Sequence, residues 1–154
     1  MIAVVQRVTE AAVHVDGEVV GSIGAGLVAL VAVCGDDSAA DVGWMSRKLV
    51  GLRIFRVGDK HFEADVKQAG GAILVVSNFT VAAATRHGRR PSFDAAADAQ
   101  KGSELFAALV DQVKSAGVPV STGRFRADMQ VHLVNDGPVT VILDSSEARK
   151  PPPD

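Results

Sequence analysis

The sequence predicts a single α/β domain of mixed, curved β-sheets with two main helices packed on one side, in β/β/α layers. Three observations point there. Two continuous apolar runs of strand length, residues 26–33 and 72–83, read as strands buried on both faces. Hairpin signals at Asp16-Gly17 and Asn135-Asp136-Gly137 punctuate segments rich in β-branched residues. Two stretches, about 38–51 and about 95–115, carry apolar residues at three- and four-residue spacing and are long enough to cover a sheet face.

Residues 2–8 and 11–15 are β-branched and partly alternating, so the chain opens with β structure and turns back at Asp16-Gly17. Cys34, after the first apolar run, reads as a small core residue. Asp37 or Ser38 can cap the first helix; Val42, Met45, Leu49 and Leu52 form its apolar face, and Arg47 and Lys48 suit its C-terminal end. "LRIFRV" resumes a strand, and "GDKHFEADVKQAGG" reads as a polar connection. "TRHGRRPSFDAAADAQ", residues 85–100, has no period and reads as a loop. The second helix carries Leu105, Phe106, Leu109, Val110 and Val113 on one stripe, and Gly117 and Pro119 end it. "VPVSTGRFRADMQVHLV" and "PVTVILD" complete a strand pair. The domain is expected over 1–144; residues 145–154, "SSEARKPPPD", are too polar and Pro-rich to pack and read as a disordered tail.

With 154 residues, 47% of them hydrophobic, one sizeable core is expected. A formal charge of -2 excludes a uniformly basic nucleic-acid coat but leaves room for a local basic patch. A single cysteine excludes an internal disulfide and a cysteine-based zinc site. The N-terminal segment meets charge at Arg7 and Glu10 before any apolar run reaches signal-peptide or membrane-span length, so a cytoplasmic protein without a membrane segment is expected.

The common catalytic signatures are absent: no G-x-S-x-G, H-E-x-x-H, Walker A or dinucleotide-binding pattern occurs. His14, His61, His87 and His132 share no ligand spacing, and no metal is expected. Three places remain. "SNFT", Ser77 to Thr80, interrupts an apolar strand; it marks either a pocket or merely a strand leaving the core, and neither hydroxyl can be tied to a base by spacing. "TRHGRRPSF" gathers Arg86, Arg89 and Arg90 on a Gly-containing loop, suited to phosphate contact or simply solvated. In "LVNDGPVTVIL", the turn reading accounts for Asn135 to Gly137 but not for Pro138, which can donate no ladder hydrogen bond. Gly137-Pro138 is a rigid, side-chain-poor tip whose backbone can approach a ligand closely.

Taken together, "QRV" at 6–8, "SNFT" at 77–80, "GRRPSF" at 88–93 and "ADMQVHLVNDGPVT" at 127–140, in this order, resemble the bacterial D-aminoacyl-tRNA deacylase family over about residues 1–144. The most specific element is N-x-G-P-[VF]-T, here Asn135 to Thr140. The resemblance implies a homodimeric, cofactor-independent hydrolase of the ester between a D-amino acid, or glycine, and the 3′-terminal adenosine of tRNA. In that family a Gly-Pro dipeptide with a cis bond enters the other subunit's active site and excludes L-amino acids. That role falls on Gly137 and Pro138, with Arg7 holding the dipeptide and Met129, in the same motif block, in the substrate-binding set. Ser77, Phe79 and Thr80 would line the pocket for the adenosine and the scissile ester, and the tRNA's own 2′-hydroxyl would replace a protein nucleophile. Arg86, Arg89 and Arg90 would meet the acceptor end.

The sequence departs from the family at Asn78, where Gln is usual. The amide is kept on a side chain one methylene shorter, so either activity is reduced or that side chain is not essential. Two further readings stand beside the deacylase: a relative that binds the aminoacylated end without turnover, and a generic esterase using Thr80 or Ser77.

Overall fold

A computed structural model describes residues 1–149. Its organising strand is β1 (Ile2–Val15), followed through a tight turn by β2 (Glu18–Ile23). Asp16 and Gly17 both take positive φ in that turn, 51° and 82°, as the Asp-Gly signal requires. Residues 2–8 of β1 pair with β3 (Gly26–Ala32) and residues 11–15 with β2, while β8 (Gln130–Asp144) runs antiparallel along almost the whole of β1. β6 (Ala72–Ser77) joins β3 in parallel, and β7 (Val120–Thr122) joins β6 in parallel. The sheet is therefore mixed, and its parallel part needs cover on both faces. Leu27, Val28, Ile73, Leu74 and Val75 are accordingly buried. Curvature brings β2 back towards β7, where the Ser121 hydroxyl donates to the Ser22 carbonyl at 2.8 Å and a side chain at Gly21 would run into the Thr122 carbonyl.

Both helices, α1 (Ala39–Gly51) and α2 (Ala99–Ser115), pack on one face of this sheet, as expected. Met45, Leu49, Leu109 and Val113 are fully buried there against Val5, Leu27, Ile73 and Val75, each contributing about 1.5–3 kcal/mol. A second cluster, Val13, Val28, Leu74 and Val76, fills the other face, with Met129, Val131 and Leu133 packed against it. Among the described residues no helix is long and apolar enough to cross a membrane.

The structure corrects four local expectations. The polar connection contains β5 (Lys60–Ala64), which pairs with β4 (Phe55–Val57) as a separate hairpin; its first three residues are exposed, so no apolar alternation betrays it. The second helix starts at Ala99 because Asp98 caps it, accepting the Lys101 N–H at 3.0 Å. The second apolar run stops being a strand at Ser77, and Phe79–Ala82 form a 3-10 turn. Most consequential, "NDG" closes no hairpin. β8 is one strand, and both of its halves pair with β1 rather than with each other. Between Thr140 and Asn135 five steps of β8 oppose the two steps of β1 from Gln6 to Val8, so Asp136, Gly137 and Pro138 bulge out of the ladder. Local turn propensity is overridden because β1 is long enough to partner both flanks.

The expected disordered tail is also corrected in its first half. Ser145–Arg149 form a 3-10 turn with Ser145 buried, and residues 150–154 lie outside the described residues. Polar side chains pack here because each finds a charged partner. The Met1 ammonium pairs with Asp37 and donates to Ser145 Oγ at 2.8 Å; Ser145 Oγ donates to Asp41 at 2.7 Å; Arg149 reaches Asp41 at 2.5 Å and Asp36 at 2.7 Å. Asp41 also completes the capping box of α1 by accepting the Ser38 N–H at 2.9 Å. Burial pushes the Asp41 carboxyl up, but hydrogen bonds from Arg149, Ser145 and Ser38 outweigh it and hold the group below its ordinary value of 3.8. A depressed carboxyl stabilises the fold above its unfolded pKa and loses that contribution as pH falls. Asp41→Asn is expected to cost about 1–2 kcal/mol in urea unfolding at neutral pH. The gap to the parent should narrow once the pH drops below about 4.

Candidate active site

Parallel β3 and β6 end side by side, and a cavity of about 610 Å³ opens beyond their carboxyl ends, the usual place for a ligand in such a sheet. Ser77, Asn78 and Phe79 line it, as does Met129 from the segment entering β8. Asn78 is fixed from below, its N–H donating to the Val31 carbonyl at 2.8 Å. Its side-chain oxygen accepts the Thr80 hydroxyl at 2.5 Å, so the shorter amide still closes a contact within the motif and Thr80 has its proton committed. The first hydrogen bond of the following 3-10 turn runs from the Val81 N–H to the Asn78 carbonyl at 3.2 Å. The Phe79 and Thr80 amides precede it and have no partner inside the turn.

The far wall comes from the loop before α2 and from the start of that helix. Phe93 meets Phe79 edge to face at 5.0 Å between ring centroids, and Ala97, Gly102 and Phe125 continue the lining. Asp98 and Arg126 are the charged residues lining this cavity, and no histidine is among its lining residues. Cys34 lies elsewhere; burial is the main cause that pushes its thiol up, which leaves it a poor nucleophile. His14 and His132 lie with ring centroids 4.6 Å apart and planes tilted by 55°, outside the cavity lining, and among the described residues no three His, Cys, Asp or Glu side chains gather as a metal site.

Gly137 and Pro138 are exposed, do not line this cavity, and are joined by a cis bond. Arg7, 3% exposed, lies beneath them. Its Nε donates to the Asp136 carbonyl at 3.1 Å and pairs with the Asp136 carboxylate at 3.0 Å, and its Nη1 donates to the Ile54 carbonyl at 2.6 Å. Asn135 tightens the bulge from inside, its amide donating to the Arg7 and Val139 carbonyls at 3.1 and 2.9 Å. The residues singled out in the sequence thus separate within one chain: Ser77, Asn78, Phe79 and Met129 line the cavity, and Arg7 lies with Gly137-Pro138 at the bulge. Thr80, expected at the cavity too, is not among its lining residues and is exposed beside it with its hydroxyl on Asn78. Arg86, Arg89 and Arg90 form a third group, all exposed on a loop whose base is pinned by the Ala84–Ser92 bridge next to Phe93.

Phe93, Asp98, Phe125 and Arg126 were not legible as cavity residues. The "RFR" stretch offers no spacing signal, and only the β7-to-β8 connection folding over the end of β6 brings it there.

A family model described as D-Tyr-tRNA(Tyr) deacylase matches residues 4–144. A D-aminoacyl-tRNA deacylase of Geobacter sulfurreducens is 49% identical over 145 residues, 94% of this chain and 95% of that protein. The D-aminoacyl-tRNA deacylase of Methylococcus capsulatus is 50% identical over 151 residues, 98% and 99% of the two chains. Among solved structures, one titled c-Myc DNA Unwinding Element Binding Protein superposes with a TM-score of 0.90 at 36% identity, covering 94% of this chain and 98% of the other. The class so defined is that of hydrolases acting on ester bonds. Within it, the chain belongs to the D-Tyr-tRNA(Tyr) deacylase family.

Proposed function

We propose that this protein hydrolyses the ester of D-aminoacyl-tRNA as a homodimer, the Gly137-Pro138 tip of each subunit entering the cavity of the other. The observation that carries this reading is the separation just described: a cavity with hydroxyl, amide and aromatic lining, and an exposed, rigidly held backbone tip that points elsewhere in its own chain. Phe79, Val134 and Ile142 are exposed apolar residues, as an interface would use, at 56%, 50% and 70%.

The tip offers backbone groups and no long side chain, so it can engage an α-amino group and leave no room for the side chain of the L enantiomer. Glycine, lacking a side chain, passes the same filter. The Phe79 and Thr80 amides, which have no partner inside the turn, would with the Ser77 hydroxyl stabilise the oxyanion that forms as the ester carbonyl is attacked. Without a base paired to a protein hydroxyl, the 2′-hydroxyl of the terminal adenosine supplies the activation. Arg86, Arg89 and Arg90, exposed together on one loop, would meet the acceptor-end phosphates.

The test compares one amino acid in both configurations on tRNA, and a tRNA ending in 2′-deoxyadenosine. D-aminoacyl-tRNA is expected to be cleaved far faster than its L counterpart, and the 2′-deoxy substrate at least about 100-fold more slowly than the ribo form. Thr80→Ala should lose only about tenfold, since it removes one hydrogen bond and no nucleophile. Equal D and L rates would refute the proposal. Full activity on simple esters, abolished by Thr80→Ala, would favour a generic esterase; tight tRNA binding with no single-turnover cleavage would favour a binding protein.

A further inference from the structure

Arg126 lines the cavity, is exposed, and makes no hydrogen bond or ion pair among the described residues. Its backbone sits in the left-handed region at φ 61°, where a residue other than glycine, Asn or Asp is uncommon. The bond from the Ala127 N–H to the Arg124 carbonyl, 3.2 Å, closes a turn around it, and positive φ at the third position of a turn is ordinarily met by glycine. Local folding therefore disfavours this residue, and an outlier of this kind at a cavity points to a ligand. Asp98, the other charged lining residue, is engaged as the cap of α2. The rings of Phe79, Phe93 and Phe125 give the same cavity faces on which a base can stack.

We infer that Arg126 binds the 5′-phosphate of the substrate's terminal nucleotide and so makes the enzyme prefer a nucleic-acid end to a free nucleoside ester. This rests on the deacylase reading above. The charges of that substrate leave one choice: the amino acid's carboxyl is tied up in the ester, its α-amino group is cationic, and the nearest anion is the phosphate joining the last nucleotide to the strand. A guanidinium presents planar paired donors that match phosphate oxygens.

The experiment uses three substrates of the intact protein: D-aminoacyl-tRNA, the D-aminoacyl ester of adenosine, and the same ester of adenosine 5′-monophosphate. The parent should show a KM about tenfold lower for the phosphorylated ester, the worth of one charge-assisted contact. In Arg126→Gly, which suits the backbone, that ratio should fall to about one, and the slope of log KM against log salt on tRNA should shrink by about one. A melting temperature at or above the parent's reports an intact fold. A ratio unchanged in Arg126→Gly, or no phosphate preference in a parent that cleaves D-aminoacyl-tRNA, overturns this assignment alone. Equal losses on both small esters also overturn it, and would assign Arg126 to the base or the cavity shape. A parent inactive on all three substrates overturns the deacylase reading and this inference with it.

Discussion

Replacing Gly137 with alanine is expected to lower kcat/KM for D-aminoacyl-tRNA by about 100-fold or more and to narrow the ratio of D to L rates. Gly137 has φ 142°, and a Cβ there would lie 2.7 Å from both the backbone nitrogen and Cγ2 of Val139 and 3.3 Å from Arg7 Nη2. The nearest obstacle is backbone and cannot swing aside, so the tip must shift. Stability should fall by only about 1–3 kcal/mol, because the strain is confined to an exposed bulge. The measurement is steady-state kinetics with both enantiomers beside urea unfolding. A folded variant with unchanged rates and unchanged selectivity would remove Gly137 from the site.

Arg7→Ala is expected to reduce both stability and activity, by about 3 kcal/mol and by a factor similar to that of Gly137→Ala. It leaves the buried Ile54 carbonyl and the partly buried Asp136 carbonyl without their donor and empties the space beneath the bulge. The ion pair adds little to that figure, because the Asp136 side chain is half exposed. Lysine cannot replace it, since two carbonyls in different directions need two donors on one rigid plane. Arg7 acts through the tip, so the double variant with Gly137→Ala should lose little more activity than either single one. A fully additive loss would show a separate contribution to the reaction.

Much of this fold was legible because its signals are physically strong. β3 and β6 are buried on both faces and read as unbroken apolar runs; α1 and α2 show one apolar stripe each, and Ser38 is a readable cap for the first. The illegible parts are those set by partners distant in sequence. The Asn-Asp-Gly signal is as good locally as the Asp16-Gly17 turn, yet it becomes a bulge because β1 pairs with both flanks. Ser145–Arg149 look like tail by composition and are held by Met1, Asp36 and Asp41, more than a hundred residues away. At the site, "SNFT" stood out as polarity inside an apolar run, and the structure puts it at the strand's open end. Arg126 gave no such signal, since only its backbone angle and its place on the cavity wall distinguish it from any surface arginine.

The claim that one subunit's tip completes the other's cavity is tested most directly by mixing two impaired chains. One carries Gly137→Ala; the other carries Asn78→Ala with Thr80→Val, expected at about a tenth of the parent's rate or less, and keeps its tip. If the site forms across subunits, each mixed dimer contains one intact pairing of tip and cavity. Equal mixing after unfolding and refolding should then restore about one quarter of the parent's activity, half the dimers being mixed with one working site of two. No recovery, with mixed dimers shown to be present, would mean that tip and cavity act within one chain and would contradict the cross-subunit mechanism.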